Sequence, residues 1–360
     1  VLWPDPATPF EATADELAKL VADGKIRHVV CSPRRRTNIR QRLKEKTMTT
    51  YGSSPDGQHA AAAAPGGGRG PRVAVLGTGM MGAAMAGNLL RAGLQTDVWN
   101  RTPEPAARLT EIGAVAHASP ELAVRAADIV ITMLPDADAV RSVVLDEDVL
   151  NAFTDGAVWA QMGTIGINPT LELSAQVRRH RPDVRFVDAP VSGTRGPAEA
   201  GQLLILGSGP ENARETVTPV FGAIGSRTLW LGEAGAGSRL KLVLNTWLAF
   251  LVEGIAESAA LADVLGVDHG ALLESLDGSP LAAPAAVAKL RKISAGDDSP
   301  DFSLRWALKD IDLAVGAAGA DAAPVASAIS RRWQQLVAEG FGDLDVSAVR
   351  HGLAEAGSAR

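Results

Sequence analysis

From Pro71 onward the chain sets apolar and polar residues in two rhythms. "RVAVLG", "QTDVWN", "ADIVITML", "GAVWAQMG" and "VRFVDAP" are short apolar runs bounded by glycine, proline or polar residues, and each reads as a strand. The stretch after the first run up to Arg91, "PEPAARLTEIG" stopped at Gly113, and "PTLELSAQVRRH" have helical spacing instead. "LLILG" and "TLWLG" are later short strands. Strand and helix in alternation predict a parallel α/β sheet. Past Gly232 to Gly237 the strand rhythm stops. Gly237 to Leu265 reads as one helix of roughly 40 Å, and helical segments continue to the C-terminus.

The first 70 residues follow neither rhythm. Glu11 to Asp23 has helical spacing, with Leu17, Leu20 and Val21 on one side. Arg34, Arg35, Arg36, Arg40, Arg42, Lys44 and Lys46 then stand against a single acid, Glu45. Such a run is either a nucleic-acid arm or a solvated tail. A net charge of -6 over 360 residues gives the whole chain no basic character, so no nucleic-acid partner is expected. "GSSPDGQHAAAAAPGGGRG" is a low-complexity linker. Residues 3–30, within "WPDPATPFEATADELAKLVADGKIRHV", resemble a fragment of an aldo-keto reductase, one βα unit of a barrel that needs roughly 200 residues or more. The expectation is that residues 1–47 are joined from upstream and that Met48 of "MTTYGSS" is the start.

Cys31 is the one cysteine, which excludes a disulfide framework and points to the reducing cytoplasm. The most apolar long window, Leu242 to Ala262, contains Asn245, Glu253 and Glu257. It therefore reads as a buried helix rather than a membrane span.

"VAVLGTGMMG" sets Gly77, Gly79 and Gly82 as G-x-G-x-x-G between a strand and a helix. Gly77 permits the tight turn, Gly79 lets a pyrophosphate approach the backbone, and Gly82 lets helix and strand pack closely. The free N–H groups from Met80 and Met81 onward would face the phosphates. This is the signature of a dinucleotide site. The second strand ends "VWNRT", where an NAD site would carry an acid for the ribose hydroxyl. Asn100 takes that place, Arg101 offers a bidentate fork for a 2′-phosphate, and Thr102 adds a hydroxyl, so NADP is expected ahead of NAD. Leu134 and Pro135 of "MLPD" lie at a strand's carboxyl end, where a ligand crevice opens. The expected fold is an α/β Rossmann-type doubly wound parallel sheet followed by an all-α C-terminal domain. Its expected division is a poorly structured extension and linker over 1–70, an NADP-binding domain over 71–232, and a helical substrate and dimerisation domain over 233–360.

Three further segments carry candidate chemistry. "DAPVSGTRG" is a small-residue turn whose Ser192 and the N–H groups around Gly193 suit a carboxylate. "GAGSRLKLVLNTW" puts Lys241 in an apolar helix with Asn245 on the same face, one turn on. Alone, that lysine reads either as a side chain reaching for water or as an amine kept dry enough to move protons. "FSLRWALKDIDLA" holds Lys309 and Asp310. In this order, with the glycine loop, "NRT" and the closing "GDLDVSAV", these motifs resemble the β-hydroxyacid dehydrogenase family, which includes 3-hydroxyisobutyrate dehydrogenases and succinic or glyoxylic semialdehyde reductases. The resemblance implies that Lys241 is the catalytic acid/base and that Asn245 orients substrate. It implies that Ser192 and Gly193 hold a substrate carboxylate, and that Lys309 and Thr164 lie near the cofactor.

Two positions depart from the family pattern. Thr194 replaces a second glycine and adds bulk at the carboxylate end, and Gly163 replaces a serine and removes a hydroxyl. Both bear on the substrate pocket. The expected activity is an NADP-dependent interconversion of a short 3-hydroxyacid and its semialdehyde. The alternatives are an imine-reductase-like enzyme, whose relatives usually replace the lysine, and a cofactor-binding scaffold without turnover. No metal is expected, since His117 and the other histidines lack ligand spacing. Asp188 is expected to fix its turn, Glu253 and Glu257 to meet basic partners, and Trp247 and Phe250 to serve the core or a subunit contact. The long apolar helix suggests a homodimer.

Overall fold

A computed structural model describes residues 70–146 and 148–354. The expected helix over Glu11 to Asp23, the basic run, the aldo-keto reductase-like fragment, the proposed start at Met48 and Cys31 all lie outside the described residues.

Six strands form one parallel sheet: β1 (Val73–Leu76), β2 (Thr96–Trp99), β3 (Val115–Ala116), β4 (Ile129–Thr132), β5 (Val158–Gln161) and β6 (Arg185–Asp188). Their spatial order is β3-β2-β1-β4-β5-β6, and every pair is parallel. The order reverses between β1 and β4, and in such sheets the ligand crevice opens at that reversal. The helices on this half are α1 (Met80–Arg91), α2 (Pro103–Thr110), α3 (Pro120–Val124), α4 (Ala137–Arg141) and α5 (Ile167–His180). Strand residues alternate between the two faces. Val73 and Val75 join Met85 and Leu89 in one core, while Ala74 and Leu76 join Trp159, Phe153 and Phe186 in the other. Trp159 is fully buried, and its ring N–H donates to Thr132 Oγ1 at 2.9 Å. That bond removes the penalty of burying an indole nitrogen.

The later strands depart from the expected single sheet. β7 (Val191–Ser192), β8 (Leu203–Gly207) and β9 (Gly225–Trp230) form a separate three-stranded sheet in which β7 and β8 are antiparallel and β8 and β9 parallel. Connection length explains the difference. Between β7 and β8 there is room only for a tight turn and the short α6 (Arg195–Glu199), whereas α7 (Glu211–Ile224) gives β8 and β9 a full crossover.

Helix α8 (Ala236–Leu265) spans 30 residues and ends at Gly266 in the left-handed region. It is followed by α9 (His269–Leu276), α10 (Pro284–Ala295), α11 (Leu304–Ala318), α12 (Pro324–Ala338) and α13 (His351–Ala354). Ala249, Val252 and Ala256 of α8 pack with Leu290, Ile311 and Trp333 in a third core. Inside it Glu253 accepts from Arg332 at 2.6 Å and from the Trp333 ring N–H at 2.8 Å, while Glu257 is exposed. Phe250 packs against this core, but Trp247 is 58% exposed, so the core reading fails for that residue. Among the described residues no helix is long and apolar enough to cross a membrane.

Candidate active site

A cleft of about 570 Å³ runs along the switch point and is closed on its far side by α8 and α11. The glycine loop forms one end. Gly77 has φ +96°, and a Cβ there would come within 2.5 Å of the Met133 carbonyl oxygen. A Cβ on Gly82 would come within 1.9 Å of the Gly77 carbonyl oxygen. Gly79 is different, since nothing lies within 4 Å of where its Cβ would be. That open space adjoins the first turn of α1, which has no side-chain cap. A backbone cradle with free N–H donors and room above it fits a dinucleotide pyrophosphate.

Asn100 lines the cleft, but its amide is committed. It accepts from the Thr78 N–H at 2.9 Å and donates to the Thr102 carbonyl and hydroxyl at 2.9 and 3.0 Å. It therefore ties the glycine loop to the turn after β2. Arg101 and Thr102 are exposed and are not among the residues that line the cleft. Arg101 makes no hydrogen bond or ion pair among the described residues. Met80, Met81, Leu134, Pro135 and Thr164 do line it.

The chemical end is built from the start of α8 and the face of α11. Lys241 is buried and reaches the cleft. Burial pulls its ammonium down to about 8, with Asp310 acting to raise it and Lys309 to lower it further. Among the described residues its amine makes no hydrogen bond. Lys309 pairs with Asp310 at 3.0 Å and donates to the Thr164 carbonyl, which joins α11 to the sheet half. Asn245 is also buried, yet it lines a small cavity behind the cleft and donates its amide to Asp310. Gly193 and Thr194 line the cleft, and the Thr194 side chain makes no capping bond to α6. Ser192 is half-buried in β7 and is not among the lining residues.

Asp188 does more than fix its own turn. It is fully buried, and its carboxylate accepts from the Gly235 N–H at 3.0 Å, the Ser238 N–H at 2.9 Å, the Ser238 hydroxyl at 2.8 Å and the Ser208 hydroxyl at 3.1 Å. Burial pushes this carboxyl up, and those donors oppose the push. The bonds anchor the N-terminus of α8 one turn before Lys241. The small residues of "GAGS" were the visible sign: a Cβ on Gly237 would come within 2.1 Å of the Leu206 carbonyl oxygen. The Gly163 reading also changes. A side chain there would bring its Cβ within 2.4 Å of the Leu134 carbonyl oxygen, so the backbone as folded excludes the serine. His117 binds Asp97 at 2.6 Å, and Asp97 also pairs with Arg72. Among the described residues no group of three His, Cys, Asp or Glu side chains is placed to hold a metal ion.

A dinucleotide cradle at the switch point, facing a buried lysine on the next layer, defines a nicotinamide-dependent oxidoreductase. Comparison with known proteins narrows the class. Residues 72–232 match the NAD binding domain of 6-phosphogluconate dehydrogenase, and residues 235–352 match the NAD-binding domain of NADP-dependent 3-hydroxyisobutyrate dehydrogenase. The chain is 35% identical over 280 residues to glyoxylate/succinic semialdehyde reductase 1 of Arabidopsis thaliana, covering 77% of this chain and 96% of that protein. The structure of a 3-hydroxyisobutyrate dehydrogenase from Mycobacterium tuberculosis with L-serine is 31% identical with TM-score 0.71, covering 79% of this chain and 99% of that one. One from Salmonella typhimurium is 27% identical with TM-score 0.72, covering 78% and 99%. The chain belongs to the β-hydroxyacid dehydrogenase family. It is an NAD(P)-dependent hydroxyacid or semialdehyde dehydrogenase acting on CH–OH groups of small molecules.

Proposed function

We propose that the enzyme interconverts a short 3-hydroxyacid and its semialdehyde with NADP, and that Lys241 is its acid/base. The observation that carries this reading is the buried, unpaired amine of Lys241 at the cleft, opposite the glycine cradle. A bound nicotinamide supplies the ring that exchanges a hydride with the substrate carbon. In oxidation the neutral amine takes the hydroxyl proton as the carbonyl forms. In reduction the ammonium returns that proton to the developing alkoxide. An amine whose pKa lies near 8 serves both directions around neutral pH.

Gly193 N–H and the uncapped Thr194 hydroxyl are proposed to hold the substrate carboxylate, with Ser192 shaping their turn. Asn245 is proposed to orient the reacting groups through Asp310, to which its amide is bound. Lys309 holds Thr164 against the cofactor end. Gly77, Gly79, Met80, Met81 and Gly82 would cradle the pyrophosphate. Arg101, exposed and unpaired among the described residues, would turn to a 2′-phosphate, with Thr102 beside it and Asn100 holding their turn. The proposed division into a binding half over 71–232 and a helical half over 233–360 follows the cleft. Val243 and Trp247, exposed four residues apart on α8, support a homodimer through that helix. A cytoplasmic setting is part of the same proposal.

A panel of short 3-hydroxyacids, semialdehydes and cyclic imines, assayed with NADP(H) and NAD(H), tests the reading. Semialdehyde reduction with NADPH is expected. Turnover of cyclic imines alone would overturn the substrate assignment. Arg101→Asp should shift preference toward NAD by about tenfold to a hundredfold, the value of lost charge-assisted bonds plus repulsion. An unchanged preference would remove Arg101 from the cofactor site.

A further inference from the structure

The helical wall of the cleft carries an aromatic surface that the proposed chemistry leaves unused. Trp306 lies in the first turn of α11, three and four residues before Lys309 and Asp310, so the three side chains share one face of the helix. All three line the cleft. The indole is nonetheless 40% exposed, and its ring N–H makes no hydrogen bond among the described residues. Phe302, four residues earlier, is half-buried and lines both the cleft and the small cavity that holds Asn245. Large apolar side chains left open inside a concave site mark ligand surface, because water contact there forfeits burial that a ligand restores.

The acids of this wall do not compete for that role. Asp343 pairs with Arg305 at 3.0 Å, and Asp301 lies 3.7 Å from Lys289 and 3.8 Å from Lys292. Both carboxylates already face basic side chains of the protein. The surface this wall leaves uncommitted is the aromatic one of Trp306 and Phe302.

We infer that Trp306, backed by Phe302, forms a substrate-selecting subsite for an aryl substituent on the hydroxyacid or semialdehyde. The inference rests on the proposed function and adds the substrate class to it. Indole and phenyl faces gain from stacking against a flat aromatic group, and gain nothing from a substrate that ends at its carboxylate.

The test compares kcat/KM for an unsubstituted short semialdehyde and its phenyl-substituted analogue, using the cofactor-loaded parent, Trp306→Ala and Trp306→Phe. NADPH titration and thermal unfolding of each variant report whether it still folds. The parent should prefer the substituted substrate by about tenfold or more. Trp306→Ala should erase that preference, mainly through KM, and Trp306→Phe should keep most of it. A parent that reduces the unsubstituted substrate without preferring the substituted one would overturn the subsite while leaving the proposed function intact. So would a preference that survives Trp306→Ala, or one lost equally in Trp306→Phe. A parent that reduces neither substrate defeats the proposed function, and the subsite falls with it.

Discussion

The two ends of the cleft are built by opposite means. The cofactor end works by the absence of side chains: Gly77, Gly79 and Gly82 leave room for backbone to meet backbone or ligand. The chemical end works by polar side chains largely withdrawn from water: Lys241, Asn245 and Asp310 are all buried around one helix contact, with Lys241 and Asp310 at the cleft wall. The first end should therefore fail when atoms are added, and the second when charges or donors are removed. Lys309 links the two ends, binding a carboxylate on its own helix and a carbonyl on the other half.

The largest expected effect is at the chemical end. Lys241→Ala should lower kcat by about a hundredfold to ten-thousandfold, the usual worth of a positioned acid/base. NADPH binding should persist, because the cradle is elsewhere. Comparable turnover in steady-state assays would break the comparison at once, since the buried amine would then have no task.

Smaller effects should separate the glycines from one another. Gly82→Ala places a methyl against the Gly77 carbonyl oxygen, so the loop must shift. A cost of about 1–3 kcal/mol in stability is expected, as for other overpacked sites, with loss of cofactor binding. Gly79→Ala meets nothing within 4 Å and should unfold like the parent, while NADPH binds more weakly. Thermal unfolding beside NADPH titration reads both. Equal destabilisation by the two variants would mean that Gly79 is also a packing residue rather than space kept for a ligand.

Much of this was legible in the chain itself, for local reasons. Runs such as "VAVLG" and "DIVITM" carry their strand signal within a few residues, and the glycine loop announces itself by spacing. What was hidden depends on contacts between distant segments. Asp188 looked like a turn residue because its partners, Ser208, Gly235 and Ser238, come from two later elements. Asn245 looked free to face substrate, and only the approach of α11 shows its amide bound to Asp310. Gly163 read as a missing hydroxyl, whereas the close Leu134 carbonyl makes it a steric requirement. The second sheet was missed because β7 is two residues long and leaves almost no period to detect. For Trp247 the core and subunit-contact readings stayed open together, because hydrophobicity does not distinguish a core side chain from an exposed one.

The central claim is that a partly neutralised, buried Lys241 carries the proton in both directions. The most direct measurement is the pH dependence of kcat/KM for reduction and for oxidation by the same enzyme. Reduction needs the ammonium, so its rate should fall as pH rises through about 8. Oxidation needs the free amine, so its rate should rise through the same pH. Opposed limbs near that value would bear the account out. Limbs that run in the same direction, or that lie near the ordinary lysine value of 10.5, would contradict it.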